Sequence, residues 1–175
     1  LRQLNTFSSP CNFTFYSFKP FFNSENPLPN IFSMFKLKNE FEYIINSDFI
    51  DFNGHLTESG FYHYGMLGNI DIFEKCGLID LFSKYKCGPV TFETNIKFKK
   101  EIFVKENIKV KLNLRKINEK GEWERLIQIN NEKKEISALI LSHGRMFNQK
   151  KRKVEPPPKE VFDLMKLFLD PTYAS

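Results

Sequence analysis

A short segment ahead of a predicted helix combines an acid, a turn and a histidine. Asp51 precedes Asn53-Gly54, a dipeptide typical of turns, and His55 follows. A carboxylate four residues before a helix can lie beside the first backbone N–H groups of that helix, which have no intrahelical partner and suit an oxyanion. The segment therefore predicts a hydrolytic site. Asp51 either activates water or attacks an acyl carbon, while the N–H groups around Gly54 to Leu56 hold the carbonyl oxygen.

The periodicity of the surrounding sequence predicts the elements that position this segment. Apolar residues recur at helical spacing from Phe61 to Phe73, and Gly77 follows as a stop, so we expect a buried helix of about 16 residues. Alternating apolar and polar residues predict strands joined by short turns, which indicates an antiparallel meander. The expected architecture is α+β, an antiparallel sheet wrapped around one long buried helix, which is the hotdog fold. The predicted strands are residues 41–45, 90–98, 108–114, 123–129 and 136–147, and a short amphipathic helix is predicted at 159–169.

The first 33 residues differ from the rest of the chain. They are rich in Phe, Ser, Asn and Pro, carry few charges and show no period of 2 or 3.6. Met34 immediately precedes the well-patterned part of the sequence. We therefore expect residues 1–33 to be an unstructured or non-native extension, and residues 34–175 to form one folded domain.

Composition narrows the classes of partner and cofactor. The formal net charge of +5 suits a polyanionic ligand such as a nucleotide, although it also suits weak nucleic-acid contact. The three cysteines form no CxxC pair, which argues against a zinc site or a disulfide framework and for a reducing, cytoplasmic compartment. The sequence has no HExxH or Gly-rich phosphate loop, so we expect neither a metal nor a cofactor. No apolar run approaches the roughly 18–20 residues that span a bilayer, so no membrane partner is expected.

The segment that carries the chemistry resembles a known family. Asp51-x-x-Gly54-His55 followed by a helix resembles the acyl-CoA thioesterases of the 4-hydroxybenzoyl-CoA thioesterase type. Their usual continuation is Gly-His-Val-Asn-Asn-x-x-Tyr, whereas this chain lacks the paired Asn and has Phe61 at the position of the Tyr. Residues 53–58, Asn-Gly-His-Leu-Thr-Glu, are similar to the betainyl-CoA thioesterase branch, with Leu for Met. Downstream, residues 92–98 resemble the second strand of the family, and residues 142–158 resemble its last strand and exit.

The resemblance covers residues 36–165 and carries implications for activity and assembly. It implies an acyl-CoA thioesterase that needs no cofactor, assembled as a homodimer or a dimer of dimers with the acyl pocket shared between subunits. It implies catalytic roles for three residues and substrate contacts for six others. The catalytic residues are Asp51, His55 and Glu58, and the substrate-binding residues are Asn53, Gly54, Leu56, Thr57, Phe61 and Glu93.

Several of these assignments have simpler alternatives. Asp commonly accepts hydrogen bonds within turns, so Asp51 can serve the backbone alone, and Glu93 lies on the polar side of its strand, where a solvated role suffices. Loss of the Asn pair leaves open a non-catalytic module that binds acyl-CoA. The basic run at residues 150–153 is a solvated turn, a contact for CoA phosphates or a nucleic-acid contact. A basic stripe with exposed aromatics at regular spacing is lacking, so we expect no nucleic-acid partner.

Overall fold

The computed structural model describes residues 39–170 and residue 172, so the predicted extension at residues 1–33 lies outside the described residues. A strand and two helices come first, and four long strands, a two-residue strand and a last helix follow. A short 3-10 turn, Ser47–Phe49, precedes the first helix. The strands are β1 Glu40–Ile44, β2 Cys87–Phe98, β3 Asn107–Ile117, β4 Glu122–Asn130, β5 Ile136–Asn148 and β6 Lys153–Val154, and the helices are α1 Glu58–Lys75, α2 Leu78–Tyr85 and α3 Lys159–Lys166.

All the strands belong to one antiparallel sheet that surrounds α1. The sheet order is β1-β3-β4-β5-β2, and β6 pairs with the end of β5. The predicted meander is correct for β3, β4 and β5 but wrong for β2, which pairs with β5 and not with β3, because the sheet order is decided by long-range pairing that leaves no local sequence signal. Helix α1 packs against β1, β3, β4 and β5, so its apolar face fills the concave side of the sheet. The predicted α+β hotdog fold is confirmed.

Two glycines let α1 approach the sheet closely. A Cβ at position 65 would lie 2.5 Å from Ile140 Cδ1, and one at position 68 would lie 2.6 Å from Val110 Cγ1. Each glycine inside a helix lowers the stability of that helix by about 1 kcal/mol relative to alanine. The close packing of α1 on the sheet offsets this loss. The helix ends as predicted, because Cys76 is its C-cap and Gly77 adopts the left-handed conformation with φ of +82°.

Helix α2 was not expected from the sequence. It has 8 residues and begins immediately after Gly77, which adopts the left-handed conformation. Because the same glycine is the stop signal of α1, the sequence gives no separate signal for the start of α2. Leu78 and Phe82, four residues apart, are buried by this short helix against the core. A helix of this length, about two turns, is shorter than the window over which helical periodicity can be recognised.

The alternation of buried and exposed side chains predicted for the long strands holds in the centre of the sheet and fails at its edge. In β3, Ile108, Val110 and Leu112 are fully buried while their neighbours are partly exposed. Strand β2 alternates in the same way in sequence, yet Phe92 is 60% exposed and Phe98 45% exposed. The difference follows from sheet order, because β2 is an outer strand and has a neighbour on one side only among the described residues.

We expect Gly144→Ala to destabilise the fold strongly. Gly144 lies in β5 between β4 and β2, and a Cβ there would lie 1.9 Å from the carbonyl oxygen of Val90 and 2.6 Å from Trp123 Cζ2. The nearest atom is backbone, so the strands themselves must separate to admit a methyl group. Overpacking of this kind costs about 3 kcal/mol, which corresponds to a fall in Tm of roughly 6–12 °C for a domain of this size.

Gly88→Ala is the matched control on the adjacent strand. A Cβ at position 88 would meet only Gln149 Nε2, at 3.9 Å, so we expect the free energy of unfolding to change by less than about 1 kcal/mol. Urea denaturation of both variants measures the difference. Equal denaturation midpoints for the two variants would contradict the close contact between Gly144 on β5 and the carbonyl oxygen of Val90 on β2.

Candidate active site

The carboxylate of Asp51 organises the turn that precedes α1. Its Oδ1 accepts hydrogen bonds from the backbone N–H groups of Asn53 at 2.8 Å and His55 at 3.2 Å. Among the described residues, its Oδ2 accepts a single hydrogen bond, from the side-chain amide of Asn53 at 3.3 Å. The turn reverses through Gly54, whose φ of +83° favours glycine. One carboxylate oxygen is therefore committed to the backbone, while the other remains weakly engaged.

These contacts also set the ionisation of Asp51. Partial desolvation raises the pKa of Asp51, but the hydrogen bonds from His55 and Asn53, together with the charge on His55, outweigh it and hold the pKa below the usual value. The carboxylate is therefore ionised at neutral pH. Either reactive role assigned to it requires this form.

The amide groups expected to bind an oxyanion are already used inside the chain. The N–H of Gly54 donates to the carbonyl oxygen of Asp51 at 3.0 Å, that of His55 to Asp51 Oδ1, and that of Leu56 to the carbonyl oxygen of Ile102 at 2.8 Å. The prediction that the amides of residues 54–56 are open donors is therefore wrong. They hold the turn and join it to the β2–β3 connection.

Open donors lie one step further along the chain, at the start of α1. Thr57 is the N-cap, and its Oγ1 accepts from the N–H of Gly60 at 3.0 Å. The N–H of Phe61 donates to the carbonyl oxygen of Thr57, which closes the first turn. Within residues 39–170, the N–H groups of Glu58 and Ser59 have no acceptor, as expected for the first two positions of a helix. Glu58 and Ser59 thus offer two open backbone N–H groups at the start of α1.

A cleft of about 350 Å³ opens at this helix N-terminus and joins two distant parts of the sequence. Six residues that the sequence pointed to line it, and four more come from the end of β2 and the connection after it. The expected ones are Asp51, His55, Leu56, Thr57, Glu58 and Phe61, and the others are Phe98, Lys99, Lys100 and Glu101.

Specific contacts join the two sides of the cleft. The ring of Phe61 contacts that of Phe98 with centroids 5.3 Å apart. The imidazole of His55 packs edge-on against Phe103 at 5.2 Å, and its Nε2 lies 3.6 Å from Glu101 Oε1. No local sequence signal marks these partners, since roughly 50 residues separate them from Asp51 and only the pairing of the strands brings them together.

Three of the predicted site residues lie outside the lining of this cleft. Asn53 and Gly54 are exposed in the turn, where they position Asp51. Glu93 lies on β2 away from the cleft, with its carboxylate 3.7 Å from His143 Nε2. Glu93 therefore does not line the cleft of its own chain, where it was predicted to bind substrate.

The basic turn, residues 150–153, lies far from the cleft in the same chain. It follows Asn148, which pairs with Cys87 at the first end of β2, whereas the cleft lies at Phe98 at the other end. Because β2 has 12 residues, these ends are about 36 Å apart. The basic turn and the cleft therefore lie at opposite ends of β2.

Comparison with known proteins places the chain in a family. The sequence profile described as the thioesterase-like superfamily matches residues 46–164, more than half of the chain. The chain belongs to the thioesterase-like superfamily. A search among curated proteins found no match.

Solved structures with the thioesterase-like fold are similar to this chain at low identity. A hypothetical protein from Staphylococcus aureus, solved in complex with CoA, is 16% identical with a TM-score of 0.66, over 77% of this chain and 82% of that one. A 1,4-dihydroxy-2-naphthoyl-CoA thioesterase from Synechocystis is 14% identical with a TM-score of 0.64, over 73% and 94%. A thioesterase from Thermus thermophilus, complexed with CoA and Zn, is 13% identical with a TM-score of 0.62, over 74% and 92%. At these identities the likeness concerns the fold.

Two further observations concern ligands and membranes. Within the described part of this thioesterase-like chain, no group of three His, Cys, Asp or Glu side chains is arranged to hold a metal ion. No helix among the same residues is both long and apolar enough to cross a bilayer.

Proposed function

We propose that this protein is an acyl-CoA thioesterase whose reaction takes place in the cleft at the start of α1. One observation carries the proposal: the ionised carboxylate of Asp51 and the first residue of α1, Glu58, whose backbone N–H is open, line the same cleft. A thioester carbonyl develops negative charge on its oxygen when it is attacked, and helix N-terminal amides stabilise that charge. Membership of the thioesterase-like superfamily supports the same chemistry.

Two routes are compatible with this geometry. In the direct route, a carboxylate oxygen of Asp51 bonds to the acyl carbon, the C–S bond breaks with CoA leaving as thiolate, and water hydrolyses the resulting anhydride. In the water route, Asp51 takes a proton from a water whose oxygen bonds to the acyl carbon, and CoA leaves in the same way. Oδ2 of Asp51 is the atom free to act in either route, because Oδ1 holds the turn.

The remaining predicted residues have positioning or contact roles in this proposal. His55 orients Asp51 through its backbone N–H and presents its ring to the cleft beside Glu101. Thr57 orders the helix start through its cap, and Leu56 and Phe61 form the apolar wall. The side chain of Glu58 faces solvent at the cleft, where it can meet a polar or cationic acyl group.

A second candidate, a non-catalytic module that binds acyl-CoA, rests on two observations. Oδ1 of Asp51 already serves the turn, and the Asn pair usual in related thioesterases is absent. Release of free thiol from a panel of acyl-CoAs separates the two candidates. A thioesterase turns over at least one substrate many times, whereas a binding module retains CoA affinity and releases no thiol.

The acyl group that we propose is small and cationic, as in betainyl-CoA. Three carboxylates, those of Asp51, Glu58 and Glu101, and the rings of Phe61 and Phe98 line the cleft. Aromatic faces and carboxylates hold a trimethylammonium group at about 0.5–2 kcal/mol per contact. The similarity of residues 53–58 to the betainyl-CoA branch supports the same choice.

We therefore expect kcat/KM for betainyl-CoA to exceed that for 3,3-dimethylbutyryl-CoA, its neutral isostere, by about tenfold, the effect of one or two such contacts. Steady-state thiol release on both substrates measures the ratio. A ratio of one or less removes the cation site and leaves the thioesterase assignment in place.

The proposal includes a reducing, cytoplasmic setting and a homodimer. Cys76 and Cys87 are free thiols, and burial raises the pKa of both, which suits inert side chains in a reducing compartment. The dimer is supported by the exposed outer strand β2.

A further inference from the structure

Two phenylalanine rings from different elements meet across the cleft. Phe61 lies in the first turn of α1 and Phe98 is the last residue of β2. Their ring centroids are 5.3 Å apart, and the ring planes are tilted by 59°. Phe61 is 5% exposed, whereas Phe98 is 45% exposed. The contact therefore joins a buried ring on the helix to an accessible ring at the end of an outer strand.

Strand β2 directs the ring of Phe98 toward α1. Side chains two residues apart on a strand lie on the same face, so Phe98 shares its face with Ile96. Ile96 pairs with Ile140 and Phe98 pairs with Ala138, and both partners are fully buried. Because the side chain of Ala138 is small, the ring of Phe98 can lean over it and contact Phe61.

Close packing of α1 closes the cleft on its other sides. A Cβ at position 60 would lie 2.6 Å from Leu56 Cδ1 and 2.9 Å from Phe49 Cβ, so the helix start lies directly on the segment before it. Farther along the helix, a Cβ at position 65 would lie 2.5 Å from Ile140 Cδ1. A gap that does not admit one methyl group does not admit an acyl chain. Neither gap therefore extends the cleft.

The apolar surface of β2 continues beyond the two rings. Ile96 follows Phe98 on the same face, is partly buried and packs against the core. It does not line the cleft, whose lining on β2 starts at Phe98. The ring pair of Phe61 and Phe98 thus separates the cleft from the apolar position at Ile96. A longer acyl chain reaches that position by passing the two rings.

The distance from the helix start to the ring pair sets a length. Glu58, whose backbone N–H is open, and Phe61 are three residues apart in α1, which is about 4.5 Å along the helix axis. An acyl group whose carbonyl oxygen meets that N–H has room for about three bonds of roughly 1.5 Å each before it meets the rings. Butyryl and betainyl groups have this length, and an octanoyl group is about twice as long.

We propose that the ring pair of Phe61 and Phe98 limits the length of the acyl group, so that chains of about four carbons are accepted and chains of about eight or more are excluded. The inference rests on the proposed thioesterase function, because that function places the acyl carbon at the start of α1. Phe98 is the residue that sets the limit, since its accessible ring stands between the cleft and Ile96.

Replacement of Phe98 by alanine tests the limit. The position is at the end of an outer strand and 45% exposed, so the fold should be retained. In the native protein we expect kcat/KM for octanoyl-CoA to be at least about tenfold lower than for butyryl-CoA. In Phe98→Ala the ratio of octanoyl-CoA to butyryl-CoA should rise at least about tenfold, because the chain gains access to Ile96. Steady-state thiol release on both substrates measures the ratio.

A milder variant and a matched control accompany this test. Phe98→Leu removes the ring and keeps an apolar side chain, so it should give an intermediate ratio and remains informative if the alanine variant unfolds. Phe92→Ala removes the same ring from the same strand at a position outside the cleft lining, and its ratio should equal the native one. Ratios unchanged in every folded Phe98 variant overturn the limit. A native protein that hydrolyses octanoyl-CoA as efficiently as butyryl-CoA overturns it as well.

Non-hydrolysable S-alkyl-CoA thioethers separate the length limit from the proposed function. In calorimetric titrations of the native protein, the Kd of S-octyl-CoA should exceed that of S-butyl-CoA at least about tenfold, and Phe98→Ala should abolish the difference. If no acyl-CoA releases thiol while this difference in Kd is found, the hydrolase function fails and the length limit stands. If thiol is released equally well from all chain lengths, the length limit fails and the hydrolase function stands.

Discussion

Asp51→Asn is expected to lower kcat at least about a hundredfold while leaving the fold intact, because the reacting carboxylate is lost. Asparagine is suitable because its carbonyl oxygen can still accept the two bonds that Oδ1 receives from the N–H groups of Asn53 and His55. The turn is thus retained and only the negative charge is removed. Thiol release on the best acyl-CoA measures the loss, and a thermal melt checks the fold.

Asp51→Ala provides the comparison that separates chemistry from turn structure. It removes the acceptor as well as the charge, so we expect the same loss of kcat together with lower stability. If the Asn variant turns over at nearly the native rate and only the Ala variant is impaired, Asp51 serves the turn and has no part in the reaction.

The pH dependence of the native enzyme adds a second measurement on Asp51. The carboxylate is active when ionised, so activity is present above its pKa and is lost as the pH falls through it. Since that pKa is held below the usual value of about 3.9, kcat/KM should show no acid limb from Asp51 above about pH 4. An acid limb near pH 6 would assign the essential base to a group other than Asp51.

Glu58→Pro is expected to lower kcat by about a hundredfold to a thousandfold, because it deletes one oxyanion donor. Proline removes the N–H of the residue and is well accepted at the first position of a helix, where that N–H has no intrahelical acceptor. The preceding residue, Thr57, has φ of −66° and ψ of 161°, which a residue before proline adopts readily. The helix start should therefore be unchanged.

Glu58→Ala is the matched control, since it removes the carboxylate and keeps the N–H. A large loss with Pro and a small loss with Ala assigns the role to the backbone. Equal losses would move the role to the side chain of Glu58, and no loss with either would place the oxyanion elsewhere. Circular dichroism and the thermal midpoint confirm that helix α1 forms in both variants.

Local patterns were sufficient to predict the fold and one side of the cleft. Asp51, the Asn53-Gly54 turn and the start of α1 lie within one short segment, so their proximity follows from sequence alone. The alternation in β3 also predicted which of its residues face inward, because α1 packs on one side of that strand. The helical spacing in α1 predicted its buried face only in part, since Ile70 was assigned to that face and is 50% exposed.

Two parts of the site could not be read from the sequence. The donors at residues 54–56 were assigned wrongly, because sequence spacing does not reveal that Ile102 supplies an acceptor to Leu56 from a distant connection. Lys99 to Glu101 were missed for the same reason, since only sheet closure brings them to the turn. Contacts between residues far apart in the sequence determine both features, and such contacts leave no local sequence pattern.

The bond that joins the two sides of the cleft has a consequence for local stability. The N–H of Leu56 donates to the carbonyl oxygen of Ile102 at 2.8 Å, and a backbone bridge links His55 to Phe103 beside it. Opening of the β2–β3 connection alone would break these links and dissolve the cleft while the sheet around α1 persists. Amide hydrogen exchange at Leu56 should therefore be faster than in the centre of β4, and a ligand that spans the cleft should slow it without slowing exchange in the core.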